Sequence, residues 1–238
     1  MSREEELARN LALVHDEIRA ACALAGRKPS DVKLVAVSKT KSMSDIAALI
    51  KAGERDFGEN YAQEAIEKIN AFAELEPISP PIDWHFIGAL QSNKAKLIPG
   101  NFSLVHGLYT ISVAEKLAQR SKEYGQVQPC LVEVNISEET SKGGTLPEQT
   151  PEFLSQLAKL EYLSIQGLMC IPDPKAKDPR RAYAKMRKLL ERINSQGVYP
   201  TPLTELSMGM SLDFVDAVLE GATIVRIGTK IFGERENK

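Results

Sequence analysis

Lys33-Leu34-Val35-Ala36-Val37-Ser38-Lys39 is an apolar run that ends on a lysine. Alternate side chains of a strand point to opposite faces, and both faces of this run are apolar for most of its length. This pattern is typical of a central parallel strand covered on both sides, so Lys39 is predicted to lie where a buried strand emerges. Lys39 is then either a lysine with a buried stem and a solvated amine, or a partly desolvated amine that attacks carbonyls.

The composition argues against several classes of protein. The 238-residue chain carries 30 Lys and Arg against 32 Asp and Glu, for a net charge of -2, so no basic surface for nucleic acid is expected. No apolar run is long enough to span a membrane, and no apolar targeting segment is expected at the amino terminus. Cys22, Cys130 and Cys170 lie in separate apolar segments, which predicts buried, reduced thiols and a cytoplasmic protein.

Strand patterns recur eight times along the chain, and helical patterns separate nearly all of them. Ser2 and Glu5 form a capping box before a first long helix, and no Gly-rich dinucleotide fingerprint follows the first strand. We therefore predict an α/β fold, a single (β/α)8 TIM barrel with an extra N-terminal helix. In this prediction residues 1–238 form one domain, and residues 1–30 hold a helix that packs on the barrel. The strand candidates are segments 33–39, 56–60, 83–88, 104–106, 131–136, 165–170, 205–211 and 223–229.

The last two strand candidates end in glycine and hydroxyl residues. Ser207-Met208-Gly209-Met210-Ser211 and Arg226-Ile227-Gly228-Thr229 end strands seven and eight, where barrels of this kind often bind phosphate through loop amides. The alternative is that Ser211 only caps its own helix and Gly228 only ends a strand. Asp213 would repel a phosphate unless its carboxylate points away.

A lysine on strand one and a phosphate site on strands seven and eight narrow the ligand to a phosphorylated carbonyl compound. Pyridoxal 5′-phosphate (PLP) fits, because its aldehyde reacts with lysine and its phosphate binds loop amides. A sugar phosphate of a lysine-dependent aldolase fits as well. Arg226 favours PLP slightly, since it shares a strand face with Gly228 and could reach the pyridine nitrogen. Asn60, at the end of strand two, either caps the following helix or lines this pocket.

Five segments together resemble the pyridoxal phosphate homeostasis proteins, over nearly the whole chain. They are Val35-Ala36-Val37-Ser38-Lys39-Thr40-Lys41, Phe57-Gly58-Glu59-Asn60-Tyr61, Trp84-His85-Phe86-Ile87-Gly88, Leu206-Ser207-Met208-Gly209-Met210-Ser211 and Val225-Arg226-Ile227-Gly228-Thr229. The resemblance implies a fold-type III PLP barrel, similar to the N-terminal domain of bacterial alanine racemase. It also implies the cofactor-binding residues, which are Lys39 as the Schiff-base lysine, Arg226 facing the pyridine nitrogen, Asn60 in the ring pocket, and Ser207, Met210, Ser211, Gly228 and Thr229 around the phosphate.

The same resemblance implies binding and delivery of PLP for its homeostasis, without strong catalysis. An arginine at the pyridine nitrogen disfavours protonation of that nitrogen, which weakens PLP as an electron sink. Racemases of this fold take a second acid/base from an added β domain, which we expect to be missing because the chain stops soon after the eighth strand. The alternative is a weak PLP-dependent amino-acid racemase or a related fold-type III enzyme, and an aldolase is a distant third. We expect a monomer that passes PLP to apoenzymes and has no nucleic-acid or membrane partner.

Three further residues have weaker patterns. Lys142, in a glycine-flanked loop after strand five, is either a solvated loop lysine, the commoner case, or a second lysine that takes PLP on its way out of the barrel. His85 and His106 have no carboxylate or cysteine partner at ligand spacing, so no metal site is predicted. His85 is instead expected to pack or hydrogen-bond at the barrel mouth.

Overall fold

A closed barrel of parallel strands forms the centre of the computed structural model, which describes residues 1–74, 80–139, 142–173 and 178–234. Each strand pairs with the next along the chain, and the last pairs with the first. Within the described residues the strands are β1 (Lys33–Val37), β2 (Asp56–Glu59), β3 (Asp83–Phe86), β4 (Leu104–Leu108), β5 (Gln128–Glu133), β6 (Leu163–Met169), β7 (Glu205–Ser207) and β8 (Ile224–Ile227). The prediction of an eightfold βα barrel is confirmed.

Helices cover the outside of the barrel. Among the described residues they are α1 (Arg3–Leu24), α2 (Met43–Lys51), α3 (Ala62–Ala73), α4 (Ile111–Tyr124), α5 (Thr150–Leu157), α6 (Pro179–Ser195), α7 (Phe214–Leu219) and α8 (Thr229–Phe232). Short 3₁₀ helices lie at Pro29–Asp31 and, between β3 and β4, at Ser92–Leu97. None of the described helices is both long and apolar enough to cross a membrane.

The N-terminal helix is confirmed, and its own sequence explains where it starts. The Ser2 hydroxyl accepts a hydrogen bond from the Glu5 amide, while the Glu5 carboxylate accepts one from the Ser2 amide, so two otherwise unpaired donors of the first turn are satisfied. The buried face of α1 contains Leu7, Leu11, Val14, Ile18 and Cys22. With this face the helix packs against α2, α7 and α8. The three cysteines are buried, free thiols, as the sequence predicts.

Two strands, β1 and β7, end earlier at the barrel mouth than the sequence patterns suggest. β1 ends at Val37, so that Lys39 lies in the turn just beyond it, and β7 ends at Ser207, four residues before Ser211. These ends leave the ladder early because their backbone turns into the loops that line the mouth. A Cβ on Gly88 would lie 2.4 Å from the Asn60 carbonyl oxygen, so glycine is needed for the chain after β3 to pass this close to the end of β2.

The barrel interior contains both apolar and polar side chains. A small apolar cluster of Val35, Leu104, Leu131, Met169 and Ile224 is separate from the main core between strands and helices. Alternation along β8 puts Arg226 on the same interior face as Ile224. The interior is therefore a packed layer with an arginine above it, at the carboxyl ends of the strands, where active sites of such barrels lie.

Candidate cofactor site

A cavity of about 400 Å³ opens at the carboxyl ends of the strands. Seven of the eight cofactor-binding residues predicted from the sequence line it, namely Lys39, Asn60, Met210, Ser211, Arg226, Gly228 and Thr229. The other described lining residues, which sequence reasoning did not identify as ligands, are Val37, Ile87, Ile171, Asp173, Pro179, Leu212 and Asp213. Most of these are apolar, and only their position after a strand could have indicated them. One cavity thus brings together the predicted lysine, arginine and glycine-hydroxyl loops.

The turn that carries Lys39 has an unusual backbone. Thr40 has a φ of 63°, in the left-handed region that is strained for a β-branched residue. The Glu64 carboxylate accepts a hydrogen bond from the Thr40 amide at 2.6 Å, which compensates for part of this strain. Glu64 lies on α3, so this helix holds the turn of Lys39 in place.

A buried ionic network lies behind the same turn, and we call Ser38, Glu59, Glu64 and Lys68 the Lys68 network. The Lys68 ammonium donates to the Ser38 carbonyl at 2.8 Å and to the Glu59 and Glu64 carboxylates at 2.7 Å each. The Ser38 hydroxyl donates to Glu59 at 2.6 Å. Burial raises the pKa of Glu59, although the hydrogen bonds from Lys68 and Ser38 oppose this. The network thus fixes both residues that flank Lys39 in sequence.

Asn60 is one of the lining residues, and it does not cap the following helix. α3 begins at Ala62, its N-cap position is Tyr61, and no side chain forms a capping hydrogen bond there. Since the capping alternative is absent at this helix, Asn60 is left at the cavity wall, where its amide can serve a ligand.

Arg226 is 4% exposed and reaches the cavity from the barrel interior. Its guanidinium donates to the Ser207 hydroxyl at 2.5 Å and to the Cys170 carbonyl at 2.9 Å. Ser207, predicted beside the phosphate, is fully buried and does not belong to the cavity lining. Its hydroxyl contacts Arg226 and His106, so in this structure Ser207 anchors the arginine.

Ser207 is also the start of a chain of hydrogen bonds through the barrel interior, which we call the histidine relay: Ser207, His106, His85 and Asp56. The Ser207 hydroxyl lies 2.8 Å from His106 Nδ1, and His106 Nε2 lies 3.0 Å from His85 Nδ1. His85 Nε2 lies 2.9 Å from Asp56 Oδ1. His85 is therefore in the interior and is bonded toward the amino end of β2, not at the mouth as the sequence analysis expects. The described residues contain no cluster of three or more His, Cys, Asp or Glu that could hold a metal.

The loops after β7 and β8 are tied to each other. The Ser211 hydroxyl accepts hydrogen bonds from the Gly228 amide at 3.2 Å and from the Lys230 amide at 3.3 Å. It therefore bridges the two loops, and α7 has Asp213 at its N-cap position instead of Ser211. The Asp213 carboxylate accepts from the Met210 amide at 2.7 Å, so part of its charge is compensated within the loop.

Gly209 makes the turn between β7 and these loops possible. Its φ is 94°, and a Cβ at this position would lie 2.6 Å from Ala217 Cβ and 2.9 Å from Phe214 Cα. A side chain here would push α7 away from the loop, so glycine is required for both the conformation and the packing.

Lys142 lies beside the cavity wall. Its ammonium forms an ion pair with Glu139 at 2.6 Å and donates to the Pro172 carbonyl at 3.2 Å. Pro172 precedes Asp173, which lines the cavity. The loop after β5 is thus held against the loop after β6 at the mouth.

Sequence comparison finds relatives over almost the whole chain. A protein of Pseudomonas aeruginosa is 43% identical over 233 residues, covering 97% of this chain and 96% of that protein, and one of Escherichia coli K12 is 41% identical over 232 residues, covering 97% of each. Both are called pyridoxal phosphate homeostasis protein. This chain belongs to the pyridoxal phosphate homeostasis family. The family model for the alanine racemase N-terminal domain matches residues 10–236.

Solved structures agree with the family. The structure of PipY from Synechococcus elongatus with PLP bound is 33% identical, with a TM-score of 0.80, and covers 95% of this chain and 100% of its own. An alanine racemase of Clostridium difficile, 16% identical, has a TM-score of 0.73 over 98% of this chain but only 58% of its own. The likeness to the racemase shows only that the fold is shared. The rest of the racemase chain has no counterpart among these residues.

Proposed function

We propose that the chain binds PLP in the barrel mouth, holds it through Lys39 and serves its intracellular storage and delivery without strong catalysis. One observation carries this proposal. A single cavity is lined by Lys39, by Arg226, and by Ser211 and Thr229 from the loops after β7 and β8. The family name and the PLP-bound relative support the same ligand.

The lining residues fit PLP in three chemically different places. Thr229 offers an amide and a hydroxyl, and Ser211 offers a hydroxyl proton, which suit a phosphate. Val37 and Ile87 give apolar walls that suit a flat pyridine ring. Arg226 offers only donors, which suits an unprotonated ring nitrogen. PLP, when bound, would supply an aldehyde, and Lys39 would hold it through its amine.

Arg226 also supports storage over catalysis. The guanidinium is pinned by Ser207 and Cys170 inside the barrel. A fixed cation beside the ring nitrogen disfavours its protonation, and an unprotonated ring withdraws electrons poorly. The chain's own groups therefore bind and orient the cofactor, while the Lys68 network holds the Lys39 turn in one conformation.

The experiment compares wild type with Lys39→Ala and with Lys41→Ala, a control two residues away in the same segment. PLP is added to each protein, and the absorbance band, the dissociation constant, transfer to a PLP-free enzyme and turnover of amino acids are measured. We expect the wild type and Lys41→Ala to bind PLP with a near-ultraviolet or visible band and to activate the recipient. Lys39→Ala should show only the absorbance of free PLP. Efficient amino-acid turnover by the wild type would contradict storage and favour the racemase alternative.

We also propose a cellular location, an oligomeric state and recipients of PLP. Reduced, buried thiols support a cytoplasmic protein, and we propose a monomer that passes PLP to apoenzymes. Lys142 as a second attachment point stays a prediction. Transfer rates that are equal in wild type and Lys142→Ala would leave this lysine a structural role through its contacts with Glu139 and Pro172.

A further inference from the structure

We propose that His85 and His106 are positioning residues: a neutral relay with the proton on Nε2 of both rings, which orients Arg226 toward the cofactor. The hydrogen bonds of the relay do not depend on the proposed function, whereas its effect on PLP does. The inference concerns two side chains that lie below the cavity and do not line it.

The two ends of the relay fix its direction. Arg226 has only donors, so the Ser207 oxygen must accept from it at 2.5 Å. Asp56 at the other end is an acceptor. Burial alone would raise the pKa of Asp56, but the hydrogen bonds from His85 and Lys33 outweigh this and lower it, so the carboxylate is ionised at neutral pH. A donor-only group and an acceptor-only group therefore bracket two histidines.

One assignment of protons satisfies every neutral group between these ends. The Ser207 hydroxyl donates to His106 Nδ1, His106 Nε2–H donates to His85 Nδ1, and His85 Nε2–H donates to Asp56. The opposite direction leaves His85 Nε2 as an acceptor facing a carboxylate unless His85 is an imidazolium. If His85 were an imidazolium, the Ser207 oxygen would accept hydrogen bonds from both His106 and Arg226. The Ser207 proton could then no longer be donated to His106.

The charges around His106 favour the neutral form. Burial lowers the pKa of His106 well below its usual value, and the charges of Arg226 and Lys33 act in the same direction. The charged and titratable groups that face the relay are Lys33 on β1, Asp56 on β2 and Arg226 on β8, with Glu133 on β5 near Arg226.

The consequence for Arg226 is a fixed orientation. Because the Ser207 hydroxyl donates its proton to His106, the Ser207 oxygen presents a lone pair to the guanidinium of Arg226. The Cys170 carbonyl holds the second nitrogen at 2.9 Å. Arg226 can then meet the ring nitrogen as a preorganised donor, and the entropy of ordering its long side chain is not lost again when PLP binds.

The direct test is nitrogen NMR of the apo form of the full-length chain, with ¹⁵N-labelled histidine. The chain has three histidines, and half-exposed His15 serves as the reference outside the relay. We expect His85 and His106 to give the pattern of neutral rings protonated on Nε2 at pH 7. An imidazolium or an Nδ1–H ring at either position would overturn the relay, whether or not the protein binds PLP.

A second test measures the effect on the cofactor. His106→Phe keeps a ring in the interior and removes both nitrogens, and Leu104→Met in the same strand is the control for changed packing. We expect the PLP dissociation constant of His106→Phe to rise about fivefold, the effect of one lost hydrogen bond, and that of Leu104→Met to stay within twofold. Ser207→Ala should weaken binding similarly, and the double variant should bind no worse than either single variant.

The outcomes separate the relay from the proposed function. Additive losses in the double variant, or wild-type affinity in His106→Phe, would overturn the positioning role while PLP binding stands. Failure of the wild type to bind PLP would overturn the proposed function, and the NMR result would still decide the relay.

Discussion

Two buried glutamates mark opposite ends of β2, and they are held in different ways. Glu59 at the carboxyl end is completely buried and contacts the Lys68 ammonium and the Ser38 hydroxyl. Glu54, just before the amino end, is 6% exposed and accepts hydrogen bonds from the amides of Arg55 and Asp56. In the described part of the chain each leaves its Oε2 without a hydrogen-bond partner. Burial raises the pKa of both, and that of Glu54 to about 7.

The difference lies in the counter-ion. His15 Nε2 lies 3.9 Å from Glu54, but burial lowers the pKa of His15, so it supplies little positive charge at neutral pH. Glu59 has the Lys68 ammonium at 2.7 Å. The carboxylate at the end of β2 that supports Lys39 therefore has an ammonium partner, whereas the carboxylate at the far end has backbone amides as its donors.

The largest effect is expected when Glu59 is deprived of its cation. Lys68→Met fills a similar volume and leaves the buried Glu59 carboxylate without its ammonium, so the free energy of unfolding should fall by about 3–5 kcal/mol. Urea denaturation measures this. Lys51→Met is the control, because its ion pair with Glu4 is exposed and should contribute less than ~1 kcal/mol. Equal, small losses in both variants would contradict the comparison.

The second effect concerns pH at Glu54. The raised pKa means that the folded state favours the neutral acid, so the stabilisation is complete below about pH 4.5 and is lost as pH rises through about 7. Over this pH range the ionisation of Glu54 should lower the free energy of unfolding by roughly 3 kcal/mol. Glu54→Gln should lack this loss, so it should exceed the wild type in stability at pH 8. Exposed Glu191→Gln should keep the wild-type pH profile, and an unchanged profile in Glu54→Gln would refute the assignment.

The smallest effect is expected at Glu64, whose side chain is 29% exposed. Glu64→Gln retains an oxygen for the Thr40 amide but weakens the bond to Lys68, so the cost should be about 1 kcal/mol. The clearer sign should be faster release of PLP, since the turn of Lys39 is held less firmly. The matched control is Glu67→Gln, an exposed residue one turn along α3. Identical release rates in the two variants would show that Glu64 does not support this turn.

Sequence patterns predict the mouth of the barrel better than its interior. Lys39, Gly228 and Thr229 follow recognisable strand ends, and parallel strands bring such ends to one edge. The histidine relay needs the register between β2, β3, β4 and β7, and no local pattern encodes this register. Lys68 looks like an ordinary helix lysine, but in the fold it is buried and contacts Ser38, just after β1, and Glu59, at the end of β2. Ser207 shares a motif with Ser211, but alternation directs it into the interior.

The central claim is that PLP is held through Lys39, and reduction of the PLP-loaded chain with borohydride tests it most directly. The reduced protein is digested, and the mass of every lysine peptide is measured. We predict a stable pyridoxyl adduct on the peptide that contains Lys39, with the Lys41→Ala variant giving the same result. An adduct on other lysines with Lys39 unmodified, or no adduct at all, would contradict the claim.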